Sequence, residues 1–194
     1  MALAYFDITV TESELEKKVE QDYGKNFTNL WNPTIAKLAC EYGLTTILSA
    51  DWPLLKDGVI QQAMKAYNED PEHFNVENYE NPDDTDHPPE PLPLAYKEMF
   101  RAVEKGCNTA YGSLTAEKII GMLANGYLVQ TSIKLHLMYP GSKHTFHSIL
   151  IYGIDCDTVY FHDPAKGAEL TCSVEHLLKA TMDVGAWMGY GSKK

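Results

Sequence analysis

The sequence predicts an α+β fold in which a helical N-terminal half packs on a C-terminal antiparallel sheet. Helix start and stop signals are concentrated before residue 126, whereas strand-like apolar runs dominate after it. The 194 residues are 44% hydrophobic, which is enough for one sizeable core. We therefore expect a single domain over residues 1–194.

Each predicted helix begins at a capping residue or stops at one that cannot continue it. Thr11 and Glu14 form a capping box ahead of residues 15–23, because each satisfies an unpaired amide of the other. Asn32-Pro33 starts a second helix and Gly43 ends it. Further helices are predicted at 57–68, at 96–105 before Gly106, at 116–124 between Thr115 and Asn125-Gly126, and at 174–182 behind Ser173.

Strands are predicted from short apolar runs between turn signals. They cover residues 44–49, 127–137, 148–152, 158–162 and 187–191. We interpret Gly153-Ile154-Asp155 as the turn between the third and fourth of these strands. Adjacent antiparallel strands joined by a short turn bring the residues at their outer ends close together.

One segment, residues 68–93, departs from the pattern of the rest of the chain. It holds nine acidic residues and six of the ten prolines, and it has no lysine or arginine. This composition predicts an irregular, exposed insertion and disfavours a helix interior or a central strand. A solvated linker and a lid or partner-binding loop are the two interpretations of it.

Charge and hydropathy exclude several classes of function. The net charge of −11 disfavours nucleic acid as a partner, because phosphate binding requires clustered lysine and arginine. No apolar run approaches the roughly 18–20 residues of a membrane span, and no signal peptide is visible. The four cysteines show no pattern of a disulfide framework, which indicates a reducing compartment, so we expect a cytoplasmic protein. They also lack the CxxC spacing of a zinc site, and we expect neither a metal ion nor a cofactor.

The residues with the clearest chemical potential are His147 and Asp163. His147 stands at the head of one predicted strand, and Asp163 ends the next. A carboxylate beside an imidazole fixes its tautomer and stabilises its protonated form, which is the base and orienter part of a catalytic triad. We predict His147 as general base and Asp163 as orienter in hydrolysis or acyl transfer.

A metal-dependent hydrolase is the alternative that the histidines raise. The candidates near the predicted strands are His136, His144, His147 and His162. Zinc sites require three or four converging ligands, each with hydrogen-bonding support around it. No pattern in the sequence brings three of these histidines together, so a metal site is disfavoured.

The order of these elements resembles that of the bacteriocin-processing, double-glycine-leader peptidases, a branch of the papain-like cysteine peptidases. The resemblance covers residues 114–178. It consists of a helix ending in Asn-Gly, then YLVQTSI, HSILIYGID and VYFHDP, followed by a capped helix. The chain has Gly-Ile-Asp where the family has Gly-Tyr-Asp, and His-Asp-Pro where it has Asn-Asp-Pro. The resemblance implies a papain-like fold, a peptide or amide substrate, and the roles of base for His147 and orienter for Asp163.

The family also implies a nucleophilic cysteine at the start of an early helix, with a glutamine upstream of it. None of Cys40, Cys107, Cys156 and Cys172 lies at a matching position. One alignment puts Trp31-Asn32-Pro33 at the family's Cys-Gly-Pro, which would make the chain a pseudoenzyme.

The alignment we prefer treats residues 1–6 as the continuation of the catalytic helix, which places the cysteine before Met1; an ordinary edge strand is the alternative for these six residues. That cysteine would then be lost, cut off by a misplaced start codon, or supplied by a second chain. The predicted function is a cysteine peptidase-like domain. Its alternative is an inactive module that binds a peptide or small ligand.

Overall fold

A computed structural model describes residues 2–23, 32–49, 59–70, 72–74, 92–181 and 187–192. The helices in these ranges are α1 (Ala2–Tyr5), α2 (Glu12–Tyr23), α3 (Asn32–Glu41), α4 (Ile60–Glu69), α5 (Leu92–Glu104), α6 (Ala116–Ala124), α7 (Leu135–Met138) and α8 (Val174–Ala180). The strands are β1 (Leu44–Ser49), β2 (Asn108–Ala110), β3 (Leu128–Lys134), β4 (Phe146–Asp155), β5 (Thr158–Asp163), β6 (Gly167–Ser173) and β7 (Trp187–Ser192).

The described strands form one sheet in the order β2-β1-β7-β3-β4-β5-β6. The α+β class is therefore confirmed, but the sheet is mixed and is not confined to the C-terminal half. β1 and β2 form one edge and pair in parallel, whereas β7 lies between β1 and β3 and is antiparallel to both. The three-residue β2 is too short to leave a periodic signal, so the sequence predicts no strand there.

Helices cover both faces of the sheet, and each face has its own apolar core. α3 and α5 pack on one face against strand residues that include Leu150. α6, α7 and α8 pack on the other face against residues that include Ile133, Ile149 and Ile151. Successive strand residues point to opposite faces of the sheet, and both faces are buried here. The central part of β4 is therefore apolar at consecutive positions. His147 is paired directly with Ile133 and so lies on the face covered by α6 to α8.

The predicted capping residues form side-chain hydrogen bonds in the structure. The Thr11 N–H donates to Glu14 Oε2 at 2.7 Å, and the Glu14 N–H donates to Thr11 Oγ1 at 3.2 Å. Thr115 and Ser173 each accept a bond from the backbone N–H three residues later. Gly43 follows α3 with φ of +90°, a conformation that glycine adopts without a steric penalty.

Two predicted strand boundaries are wrong. The chain leaves β3 at Lys134 and forms the short helix α7, so the strand does not continue to residue 137. Gly153-Ile154-Asp155 belongs to β4, and the turn comes later, at Cys156, whose φ is +51°. A register shift between Ile151 and Gly153 lets the strand continue through the glycine, which packs against the ring of Tyr160. The sequence does not predict β6 either.

The acidic segment lies mostly outside the described residues. At its start, α4 extends to Glu69, and at its end α5 already begins at Leu92, four residues before the predicted position. Both ends of the segment 68–93 are therefore helical, contrary to the prediction of an irregular stretch. Pro93 stands in the first turn of α5, where a missing amide hydrogen costs little. Residues 71 and 75–91 lie outside the described residues, as do Met1 and Trp31.

Candidate functional site

His147 and Asp163 are in direct contact at one end of the sheet. β4 and β5 pair so that Leu150 lies opposite His162, which places Asp163 diagonally across from His147 on the same face. His147 Nε2 is 2.7 Å from Asp163 Oδ1. The His147 side chain is 22% exposed and that of Asp163 is 0% exposed, so solvent reaches the imidazole but not the carboxylate.

The buried carboxylate of Asp163 is saturated with hydrogen-bond donors. Oδ1 accepts from His147 Nε2, from the Ala165 N–H at 2.7 Å and from the Lys166 N–H at 3.2 Å. Oδ2 accepts from the Tyr139 hydroxyl at 2.7 Å. Burial acts to raise the pKa of Asp163, but the hydrogen bonds from Tyr139, His147 and Ala165 outweigh it and hold the pKa below the ordinary value. The carboxylate is therefore ionised at neutral pH.

This ionisation fixes the tautomer of His147. An ionised carboxylate can only accept hydrogen bonds, so Nε2 of His147 must carry the proton that it shares with Asp163. In the neutral imidazole the lone pair then lies on Nδ1. Among the described residues, nothing forms a hydrogen bond with Nδ1. The arrangement holds the ring by one nitrogen and leaves the other available to accept a proton.

Tyr139 is the member of this network that sequence analysis misses. It caps the C-terminal end of α7, in the connection between β3 and β4. Burial, the hydrogen bond to Asp163 and the charge of that carboxylate all raise the pKa of Tyr139, so its hydroxyl stays protonated and donates. Lys166 Nζ lies 5.4 Å from the centre of its ring. Because the apolar pattern predicts a strand up to residue 137, it contains no sign that Tyr139 turns toward Asp163.

None of the four cysteines lies beside His147. Cys156 is at the opposite end of β4, roughly 30 Å away for a strand that rises about 3.3 Å per residue, and its hydrogen bond with Asp155 and the charge there raise the pKa of the thiol. Cys172 pairs with Val159, which on the same basis is about 13 Å along β5 from Asp163. Burial raises the pKa of Cys172, which disfavours a reactive thiolate.

The remaining cysteines belong to the other face of the sheet. Cys40 and Cys107 are buried in the core beneath α3 and α5. Cys40 is the penultimate residue of α3, far from the start of that helix. Neither thiol is therefore placed to transfer a proton to His147.

The other strand-region histidines do not join the site. His136 and His144 stack on each other with ring centres 4.0 Å apart, and His162 stacks on Tyr152 on the opposite face from His147. Within the described ranges, no group of three or more His, Cys, Asp or Glu side chains could hold a metal ion.

An apolar cavity of about 300 Å³ lies between the sheet and α3, on the opposite face of the sheet from the His147 side chain. Its walls include Ser148 and Pro164, the residues directly after His147 and Asp163, and across from them Leu3 of α1 and Leu38 of α3. The cavity and the His147–Asp163 pair thus share one end of the sheet.

Comparison with known proteins identifies no family for this chain. No protein-family model matches this chain, and no curated protein matches it. Across the part of the chain that the structure describes, no helix is long and apolar enough to cross a membrane.

Proposed function

We propose that this chain is a single papain-like, cysteine peptidase-like domain that acts on peptide or amide bonds, with His147 as general base and Asp163 as its orienter. The observation that carries the proposal is the 2.7 Å contact of His147 Nε2 with a buried, ionised carboxylate. This contact leaves Nδ1 as the basic nitrogen, on a ring that solvent can reach.

The chemistry follows from the two protonation states of His147. In acylation, Nδ1 takes the proton of a thiol as its sulfur attacks the carbonyl carbon, and it then returns the proton to the leaving amine. In deacylation, the same nitrogen activates water, which gives hydrolysis, or an amine, which gives a new amide. Asp163 stays ionised throughout and stabilises the imidazolium.

The nucleophilic thiol belongs, on this proposal, to residues ahead of α1 or to a second chain. Ala2 and Leu3 line the cavity beside Ser148 and Pro164. Tyr5 instead lines a separate cavity farther along β4. α1 therefore points its N-terminal end toward the end of the sheet that holds His147 and Asp163, and a chain entering α1 would approach them.

The second candidate function is an inactive module that binds a peptide or small ligand. Two observations favour it: the four cysteines all lie away from His147, and an apolar cavity of about 300 Å³ opens at the same end of the sheet, on its other face. A side chain of a peptide fits a cavity of this size and polarity.

Thiol labelling of the protein isolated from its native source, with any chain that accompanies it, separates the two functions. An epoxysuccinyl-peptide probe should modify one cysteine, mapped by mass spectrometry. The rate should fall about 100-fold or more in His147→Ala, since a general base contributes about 10²–10⁴. His73→Ala is the matched control, because His73 is exposed and, like His147, has its ring bonded to an aspartate, Asp70.

Labelling that proceeds equally in His147→Ala would refute the proposed catalytic role. Absence of labelling together with saturable binding of the peptide part of the probe would favour the binding module.

A further inference from the structure

Cys40 and Cys107 bring two sulfur atoms together in the core beneath α3 and α5. Their Sγ atoms are 3.0 Å apart, although the residues are separated by 67 positions in the chain. Each residue is 5% exposed. Cys40 lies at the end of α3, and Cys107 immediately precedes β2.

The two thiols are within hydrogen-bonding distance, and either of them can be the donor. A disulfide has a sulfur–sulfur length of about 2.05 Å, so closing the pair requires a movement of about 1 Å. Cys40 Sγ also lies 3.0 Å from Thr46 Oγ1 of β1, which fixes the position of this thiol relative to the sheet. The fold has therefore already brought the two thiols together before any oxidation.

The two cysteines differ in their position relative to the protein surface. Cys40 lines a surface depression of about 570 Å³ whose other walls are Lys18, Glu41, Tyr42 and Lys105. Cys107 does not line it. Lys18 and Lys105 favour an anionic reagent over a neutral one. Glu41 pairs with both lysines, and Asp22 pairs with Lys18 and with Lys37, so the described members of this ion-pair group carry one more positive than negative charge.

We propose that Cys40 and Cys107 form a reversible disulfide, with Cys40 as the entry thiol and Cys107 as the resolving thiol. The oxidant is a small anionic disulfide of the glutathione class. Cys40 sulfur attacks one sulfur of the reagent, which breaks the reagent's bond, forms a mixed disulfide and releases one small thiol. Cys107 sulfur then attacks Cys40 sulfur and releases the second small thiol. Two protein thiols thus lose two electrons and two protons, which reduce the reagent to two thiols.

The consequence of the bond is a covalent tie between α3 and the segment that enters β2. α3 also supplies a wall of the apolar cavity on the other face of the sheet from His147, through Leu38 and Ala39. The disulfide would therefore hold this wall against the β1–β2 edge of the sheet. This inference does not depend on the proposed peptidase-like function.

The test uses the full chain carrying Cys156→Ser and Cys172→Ser, so that only the pair remains. The folded protein is equilibrated at graded ratios of oxidised to reduced glutathione, quenched in acid, denatured and labelled with N-ethylmaleimide. Intact mass should show two labels under reducing conditions. Under oxidising conditions it should show none, with a mass about 2 Da below that of the unlabelled reduced chain.

The order of attack is tested by two further substitutions in the same background. With Cys107→Ser, Cys40 should trap one glutathione and gain about 300 Da. With Cys40→Ser, Cys107 should react at least about tenfold more slowly, because it does not line the depression. Equal rates in the two variants would overturn the assignment of the entry thiol.

The disulfide itself is overturned by one result in the parent background. Two labels at every glutathione ratio, both in the native protein and after refolding in the same buffers, would mean that the thiols do not pair. Far-UV circular dichroism of each sample establishes that the protein is folded. The parent result stands independently of whether either single-cysteine variant folds.

Discussion

Tyr139→Phe removes a single oxygen from the candidate site and tests how the Asp163 carboxylate is held. The tyrosine hydroxyl is the donor to Oδ2 of a carboxylate that is 0% exposed. A hydrogen bond to a charged group contributes about 1.5–3 kcal/mol. Tyr139 is itself only partly buried, so water can enter near the vacated position and reduce the loss. We therefore expect a loss of about 1.5–2 kcal/mol in the free energy of unfolding at neutral pH.

The loss should also depend on pH, with a sign that follows from the pKa of Asp163. The pKa of this carboxyl is held below its ordinary value of 3.8, partly by the Tyr139 hydroxyl. Its contribution to stability is therefore present above that value and disappears as pH falls through the lower pKa of the folded state. Without the hydroxyl the folded-state pKa rises, so the difference between wild type and variant is largest at neutral pH and shrinks in acid.

Urea unfolding at a series of pH values from about 7 down to about 2 measures both effects. Tyr160→Phe is the matched control, because the Tyr160 hydroxyl forms no hydrogen bond with any described residue, and it should change stability by less than about 0.5 kcal/mol. A loss in Tyr139→Phe no larger than in the control, or one that stays constant down to acid pH, would refute the role assigned to the Tyr139 hydroxyl.

Three further sets of substitutions test the site, the packing and the capping of the fold by thermal or urea unfolding. Asp163→Asn keeps an oxygen for three donors and should lower the free energy of unfolding by about 1 kcal/mol. Asp163→Ala leaves buried donors without an acceptor and should lower it by about 3 kcal/mol or more. Equal losses in the two variants would contradict the network described for Asp163. Gly191→Ala places a Cβ 2.9 Å from the ring of Tyr127 and should cost about 1–3 kcal/mol. Gly121→Ala, with open space around it, should stabilise α6 by about 0.5–1 kcal/mol, and a loss there would contradict the packing described. Thr115→Ala removes the cap of α6 and should cost about 1 kcal/mol; no change would mean that the cap bond does not stabilise the helix.

Local chemistry explains why much of the helical half could be predicted. The capping box of Thr11 and Glu14, the cap at Thr115 and the stop at Gly43 each act within a few residues, and each appears in the structure. The two strands that bring His147 and Asp163 together are also adjacent in sequence. Their pairing required only a short turn, so an error of a few residues in placing that turn still brought the two side chains into contact.

The sequence by itself determined the α+β class, the helices that local caps and stops mark and the neighbouring positions of His147 and Asp163, because these depend on short-range hydrogen bonds and hairpin geometry. Only the tertiary structure decided the insertion of β7 between β1 and β3, the turn of Tyr139 toward Asp163 and the contact of Cys40 with Cys107. These features join residues far apart in the chain. Their partners are selected by the burial of apolar surface on both faces of the sheet, which leaves no local pattern in the sequence.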